Sequence, residues 1–239
     1  MSTPIKVDIW SDVACPWCYI GKRKFEAGAG LFAGEGQGRA VDVEYHSFEL
    51  APDTPVDFEG SEFEYLSERK GIALDQVTQM LGRVSSIAES VGLNYDFPAV
   101  QHTNTVKAHQ ALHFAKAHGK QAQLKERLLK AYFVEGGHVG HIDTLVGYGA
   151  EVGLDPEELR RSLESDEYLA AVRADQTKAQ EYGIQGVPFF VIDGKYGVSG
   201  AQEAATFAQV LGQVWEERSA DETSEPAAEP AAAAREGAR

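Results

Sequence analysis

The amino-acid sequence predicts an α/β protein in which the two ends of the chain build one mixed sheet and a long helical insertion lies between them. Three observations carry this prediction. Polar and apolar residues alternate in two short segments near the N-terminus, with a helical stretch between them. Helical periodicity then dominates the middle of the chain, and a strand pattern returns close to residue 187. A strand, a helix and a strand in succession favour parallel pairing through a right-handed crossover.

The N-terminal segment predicts a β-α-β unit. The alternation in Lys6–Trp10 and in Val41–Phe48 is typical of half-buried strands. Between these strands we expect a helix over Cys15–Phe25. Gly28–Gly38 contains several glycines, and we predict a loop there because glycine disfavours helix interiors.

The middle of the chain predicts an all-helical insertion over residues 58–164. Asp155-Pro156 is a helix-start signal, since aspartate accepts hydrogen bonds from the first turn and proline suits the first helical position. The predicted helices of this region and of the segment that follows it are Asp75–Val91, Thr105–His118, Gln121–Val134, Ile142–Val152, Asp155–Leu163 and Asp166–Tyr182.

The C-terminal segment predicts two strands and a closing helix. Val187–Ile192 is apolar, Asp193-Gly194 is a tight-turn pair, and Lys195–Val198 is the return strand. A helix then runs to about Glu217. We therefore expect an outer, sheet-forming domain built from residues 1–57 and 165–218. Residues 219–239 are rich in alanine, glutamate and proline, a composition that predicts a disordered tail.

Composition and charge limit the partners and the compartment that we expect for the protein. The 239 residues carry a formal net charge of −15 at pH 7. Because an acidic surface repels phosphate groups, we expect neither nucleic acid nor a membrane as a partner. The N-terminus lacks a basic segment followed by an apolar one, and no apolar run approaches ~18 residues, so we predict a cytoplasmic protein. A homodimer is compatible with the sequence.

The motif Cys15-Pro16-Trp17-Cys18 points to redox chemistry. It follows a predicted strand and opens a predicted helix, where unpaired N–H groups and the helix dipole stabilise a thiolate. We therefore expect a lowered pKa for Cys15. The alternative is half of a zinc site, but zinc needs further Cys or His ligands and the chain has only two cysteines. No metal site is predicted.

A second motif, Gly186-Val187-Pro188-Phe189-Phe190, opens the third strand. Proline at a strand start is ordinary; the sharper hypothesis is a cis Val187–Pro188 bond that faces Cys15. Strand alternation sends the two phenylalanines to opposite faces, and we expect core burial for one or both.

Other polar residues leave two interpretations open. Asn104 either lines a cleft or starts a helix. His109 and His113 have the spacing of metal ligands on one helix face. A solvated or core position is the more common role of such a histidine pair.

Together these motifs resemble the DsbA-like branch of thioredoxin-fold proteins, and more closely its FrnE-type subgroup. The matching segments are Ser11-Asp-Val-Ala-Cys-Pro-Trp-Cys18, Asn104-Thr105 with Ala108-His109, Gly183-Ile-Gln-Gly-Val-Pro-Phe-Phe190 and Ser199-Gly-Ala-Gln202. The resemblance implies a thioredoxin fold, with Cys15 as the nucleophile and Cys18 as the resolving thiol. It also implies a substrate backbone contact at Val187 and cis-Pro188. From the motifs themselves we further expect substrate contacts at Pro16, Trp17 and Asn104.

The resemblance implies an activity and its partners as well. We expect thiol–disulfide exchange with a protein or small-molecule substrate and with a cellular thiol reductant or oxidant. No cofactor is expected beyond the redox-active disulfide, with glutathione as a candidate co-substrate. Related glutathione-dependent isomerases and kappa-class transferases share this fold, so isomerisation or conjugation is the alternative function. The resemblance implies that those enzymes carry serine where Cys15 stands, and the pair Cys15 and Cys18 therefore favours redox chemistry. A non-catalytic chaperone is the third.

Overall fold

In the computed structural model, which describes residues 3–34 and 39–224, four strands form one mixed sheet in the order β2-β1-β3-β4. Strand β1 (Ile5–Ser11) pairs parallel with β2 (Val41–Ser47) and antiparallel with β3 (Phe189–Ile192), which pairs antiparallel with β4 (Tyr196–Ser199). The register sets Trp10 opposite Phe189. The C-terminal end of β1 therefore lies beside the start of β3, which is where the two sequence motifs occur.

Nine α-helices accompany the sheet in the part of the chain that the structure describes. They are α1 (Pro16–Ala33), α2 (Glu62–Lys70), α3 (Leu74–Glu89), α4 (Val106–Ala117), α5 (Gln121–Val134), α6 (Ile142–Glu151), α7 (Pro156–Glu164), α8 (Leu169–Glu181) and α9 (Ala204–Ser224), with a 3-10 turn at Phe97–Ala99. None of the described helices has both the length and the apolar composition that a membrane span requires.

Apolar layers cover both faces of the sheet. On one face, Phe190 packs with Phe25 of α1 and Phe207 of α9, with ring centroids 4.6–5.4 Å apart. On the other face, Trp10 packs near α8 and donates its indole N–H to the Asp175 carbonyl at 2.9 Å. Phe189, half-buried, joins this second layer, so the two phenylalanines do face opposite sides. The helices of the insertion enclose a separate and larger core.

The predicted loop over Gly28–Gly38 is wrong in its first half, because α1 continues to Ala33. Gly28 is a packing position. A Cβ atom there would lie 2.5 Å from the Ala204 carbonyl oxygen and 2.7 Å from the Phe207 Cβ atom. The glycine therefore lets α1 and α9 approach closely, which is a tertiary requirement and not a turn signal.

Two other helix boundaries differ from the prediction. Helix α8 starts at Leu169, because Asp166 has a left-handed φ of 55° and cannot belong to a helix. Helix α9 runs to Ser224, so residues 219–224 are helical and not disordered. Its buried residues Phe207, Leu211 and Val214 anchor the helix, and extending an anchored helix costs little. Residues 225–239, the rest of the predicted tail, lie outside the described residues.

Candidate active site

The two cysteines lie at the N-terminus of α1, directly after β1. Cys15 caps the helix with an extended backbone, Pro16 occupies the first helical position, and the Cys18 N–H donates to the Cys15 carbonyl at 3.0 Å. Both residues are free thiols and are buried. Their side chains are joined by a hydrogen bond. The thiols therefore form one unit at the positive end of the helix dipole.

The second motif lies against the first. The Cys15 Sγ atom is 3.5 Å from the Val187 carbonyl oxygen, and the Val187–Pro188 peptide bond is cis. Pro188 packs on α1 at Gly21, where an added Cβ atom would lie 2.8 Å from the proline Cγ atom. The fold thus brings four predicted site residues together, namely Cys15, Cys18, Val187 and Pro188.

The remaining predicted site residues have separate surroundings. The Pro16 carbonyl accepts a hydrogen bond from the Tyr95 hydroxyl at 2.7 Å. Trp17 is 39% exposed and lines a cleft of about 570 Å³ between α1, α3 and the start of α9. Asn104 donates its amide to the Pro52 and Thr54 carbonyls and accepts from the Val106 N–H at 2.9 Å. Its contacts are those of the helix-start interpretation.

The two thiols have opposite pKa shifts. The hydrogen bond to Cys18, and then burial, raise the pKa of Cys15 well above its ordinary value. Burial raises the pKa of Cys18, but the hydrogen bond from Cys15 and the charge of Lys125 outweigh it and lower the pKa overall. The expectation of a lowered pKa for Cys15 is therefore wrong for the dithiol form. When the pair loses its first proton, the remaining proton stabilises the negative charge through the interaction between the two sulfurs.

A buried carboxylate beneath the motif was missed by the sequence analysis. The Asp12 side chain is fully buried; it accepts from the Leu50 N–H at 2.8 Å and the Ala14 N–H at 3.4 Å. His109 Nε2 lies 3.2 Å from Asp12 Oδ1. Burial raises the pKa of Asp12, but the hydrogen bond and charge of His109 outweigh it and lower the pKa. His109 is therefore a core partner of a carboxylate near Cys15 and not a metal ligand.

A buried lysine was also missed by the sequence analysis. Lys125 on α5 is only 1% exposed, and among the described residues its Nζ atom has no hydrogen-bond partner. Burial lowers the pKa of Lys125, while the negative charges of Cys18 and Asp12 oppose this shift. The signal was present in the sequence, since Lys125 lies among the apolar positions Leu124, Leu128 and Leu129 of a helical face. A charged residue on such a face is rarely buried without a role.

The two histidines of helix α4 have different partners. His109 contacts Asp12, whereas His113 Nε2 lies 3.0 Å from Asp175 Oδ2 and 3.2 Å from the Ser47 hydroxyl. Asp175 also pairs with His46 at 2.8 Å. This second cluster joins α4, α8 and the end of β2, so its geometry indicates a structural connection.

Comparisons with known proteins agree with this geometry. Residues 6–212 match the model of the DSBA-like thioredoxin domain. The chain is 30% identical over 211 residues to the uncharacterized protein YwbO of Bacillus subtilis (strain 168), covering 87% of this chain and 96% of YwbO. The crystal structure of SCO1869 from Streptomyces coelicolor, described as a probable DsbA oxidoreductase, superposes with a TM-score of 0.82 at 35% identity over 95% of this chain and 94% of that one.

A more distant structure shares the fold. The cytosolic disulfide reductase DsbM of Pseudomonas aeruginosa has a TM-score of 0.56 at 22% identity, over 91% of this chain and 97% of that one, and a structure of DsbM with GSH is also similar. With the thiol pair at the helix N-terminus and the family match over most of its length, this chain belongs to the family of DSBA-like thioredoxin domain proteins.

Proposed function

We propose that this protein is a dithiol–disulfide oxidoreductase in which Cys15 attacks the substrate and Cys18 resolves the intermediate. One observation carries the proposal. Two interacting thiols begin α1, and the sulfur of the first one contacts the Val187 carbonyl next to Pro188. Once such a pair loses its first proton, it can supply both a nucleophile and a proton.

The proposed reaction has two exchange steps. In the singly ionised pair, the Cys15 proton moves to Cys18, and the Cys15 thiolate attacks one sulfur of a substrate disulfide. A mixed disulfide forms, and the other substrate sulfur leaves as a thiolate that takes up the proton of Cys18. The Cys18 thiolate then attacks Cys15 Sγ, which forms the Cys15–Cys18 disulfide and releases the second substrate sulfur. Two electrons pass from the pair to the substrate, and the reverse sequence oxidises substrate thiols.

Lys125 assists the second step in this proposal. Its charge lowers the pKa of Cys18, and a thiolate at Cys18 is needed when the mixed disulfide is resolved. The contact with Val187 supports a substrate position beside Cys15, and the exposure of Trp17 supports a substrate contact there. We assign Pro16, Trp17, Val187 and Pro188 to substrate contacts, and Asn104 to holding the loop at Pro52 and Thr54.

We further propose that the protein works in the cytoplasm as a member of the FrnE-type subgroup and that glutathione recycles the thiol pair. The shared fold with DsbM, a cytosolic disulfide reductase whose structure was also solved with GSH, supports this choice of compartment and reductant. No other cofactor is required by the two exchange steps.

A trapping experiment tests the proposed roles. Wild-type protein with excess glutathione should reduce a fluorescence-quenched peptide disulfide, and Cys15→Ser should abolish the reaction. Cys18→Ala should accumulate a mixed disulfide at Cys15, visible as added mass under non-reducing conditions.

The double variant Cys15→Ser/Cys18→Ala is the matched control and should trap nothing. A mixed disulfide on Cys18 in the Cys15→Ser variant, or full turnover by Cys18→Ala, would contradict the assignment. Conjugation of glutathione to an electrophile by Cys18→Ala at the wild-type rate would favour the glutathione-dependent alternative.

A further inference from the structure

Three potential metal ligands meet away from the cysteines, in a cluster that we call the His-His-Asp cluster: Asp57, His138 and His141. Asp57 belongs to the connection between β2 and α2, and the two histidines belong to the connection between α5 and α6. One ligand atom of each residue lies within 4.8 Å of the ligand atoms of the other two. About 80 residues separate the two connections in the sequence, so only the fold brings these side chains together.

The potential ligand atoms lie close together in the ion-free protein. His141 Nε2 lies 2.6 Å from Asp57 Oδ1, and the rings of His138 and His141 are stacked with centroids 3.7 Å apart. Ligands around tetrahedral zinc are separated by about 3.3 Å, because zinc–nitrogen and zinc–oxygen bonds are about 2.0–2.2 Å long. The imidazole lone pairs lie in the ring planes, so the two stacked rings must rotate out of their parallel arrangement before both can point at one ion. In the ion-free state His138 Nδ1 accepts the Gly140 N–H at 3.2 Å.

Both connections are held in place by the segment before α4. The Thr103 hydroxyl donates to the Val56 carbonyl at 2.7 Å, next to Asp57. On the other connection, Gly140 packs so tightly on Thr103 that a Cβ atom would lie 2.2 Å from its hydroxyl oxygen. The Thr144 hydroxyl donates to the His138 carbonyl at 2.6 Å. Fixed backbones of this kind preorganise ligands before an ion binds.

The donor set indicates which ion would bind. Two imidazole nitrogens and one carboxylate oxygen suit zinc and similar transition metals, whereas magnesium and calcium prefer oxygen ligands throughout. The side chains of Asp57 and His141 are 81% and 45% exposed, so an ion can reach them from solvent. An open cleft of about 650 Å³ adjoins His141 and leaves room for water at a fourth position.

We propose that the His-His-Asp cluster binds a divalent transition metal of the zinc type, with three protein ligands and one open position. Binding would link the segment after β2 to the segment before α6 and stabilise both. The site is independent of the thiol chemistry.

The test must separate this cluster from the cysteines, because reduced thiol pairs bind zinc themselves. The untagged, full-length Cys15→Ser/Cys18→Ser variant is titrated with zinc by calorimetry and with cobalt by absorption. We expect one zinc per chain and cobalt bands without the thiolate charge-transfer absorption. Zinc should also raise the melting temperature.

Ligand variants in the same background complete the test. His141→Gln and Asp57→Asn, both at exposed positions, should each weaken zinc binding by about 10-fold or more, and His138→Gln/His141→Gln should abolish it. His118→Gln, an exposed histidine outside the cluster, is the matched control and should bind zinc as the parent does. Absence of stoichiometric zinc binding in the parent, or equal affinity in the ligand variants, would overturn the proposal.

Discussion

The environment of His46 predicts that the folded protein loses stability at alkaline pH. Its side chain lies between two carboxylates, with Nε2 2.8 Å from Asp8 Oδ1 and Nδ1 2.8 Å from Asp175 Oδ1, and its ring stacks on Trp10. Burial lowers the pKa of His46, but the hydrogen bonds to Asp175 and Asp8 outweigh it and raise the pKa to about 9. The folded protein therefore holds this proton more tightly than the unfolded chain does.

The size of this stability loss follows from the difference between the pKa of His46 in the folded and the unfolded protein. The pKa of His46 is about 9 in the folded state, against 6.5 for an unperturbed histidine. A raised pKa contributes stability that is complete below the unfolded value and is lost as pH rises through the folded value. Protonation of His46 then contributes about 2.5 kcal/mol at pH 7 and about 0.1 kcal/mol at pH 10. The group is mostly buried, so solvent screening reduces this little.

The measurement is urea unfolding of the wild type and of His46→Gln at both pH values, with the cysteines oxidised so that thiol ionisation does not contribute. The difference in unfolding free energy between the two proteins should shrink by about 2.5 kcal/mol from pH 7 to pH 10. His118→Gln, which removes an exposed imidazole outside this cluster, is the matched control. A pH-independent difference for His46→Gln would refute the reasoning, because contacts without proton binding give no such slope.

Two further predictions concern the thiol pair and the packing of α1. Lys125→Met removes the charge that acts on Cys18. We expect the mixed disulfide to resolve about tenfold more slowly, because a loss of about 1.4 kcal/mol of charge interaction changes a rate by that factor. The melting temperature should not fall, because methionine fills a similar volume without a buried charge. Stopped-flow mass analysis and calorimetry check this, and a resolution rate equal to wild type would contradict it. Gly28→Ala should destabilise the fold by about 1–3 kcal/mol, because its Cβ atom would meet the Ala204 carbonyl at 2.5 Å. Gly30→Ala in the same helix has no atom within 4 Å of its added Cβ and should be neutral or stabilising in the same urea unfolding assay.

Local patterns were sufficient for much of the fold. Strands and helices follow from the period of their apolar residues, which depends only on neighbours along the chain. The Cys15–Cys18 pair was recognisable because its chemistry depends on a strand-to-helix junction that the same pattern predicts. The extension of α1 was not predictable in this way. Gly28 resembles a loop residue until the crossing helix α9 is known.

The electrostatics of the site depend on contacts that no local pattern contains. Cys18 has the lowered pKa because of Cys15 and of Lys125, which lies more than 100 residues away in the sequence. A helix N-terminus alone would lower the pKa of Cys15, but in the folded protein the hydrogen bond between the two sulfurs reverses that shift. His109 was weighed as a helix-face residue, and its role became visible only when the fold set it against Asp12.

Asp12 connects the three segments that build the site. Its carboxylate accepts from the Ala14 N–H directly before Cys15, from the Leu50 N–H after β2, and contacts His109 on α4 of the helical insertion. A shift of α4 would therefore move or unpair a buried carboxylate close to Cys15, and an unpaired buried charge is costly. The insertion also supplies Lys125, whose charge acts on Cys18. The sheet-forming part alone would leave Asp12 without His109 and Cys18 without Lys125, so the insertion helps to set the electrostatics of the thiol pair.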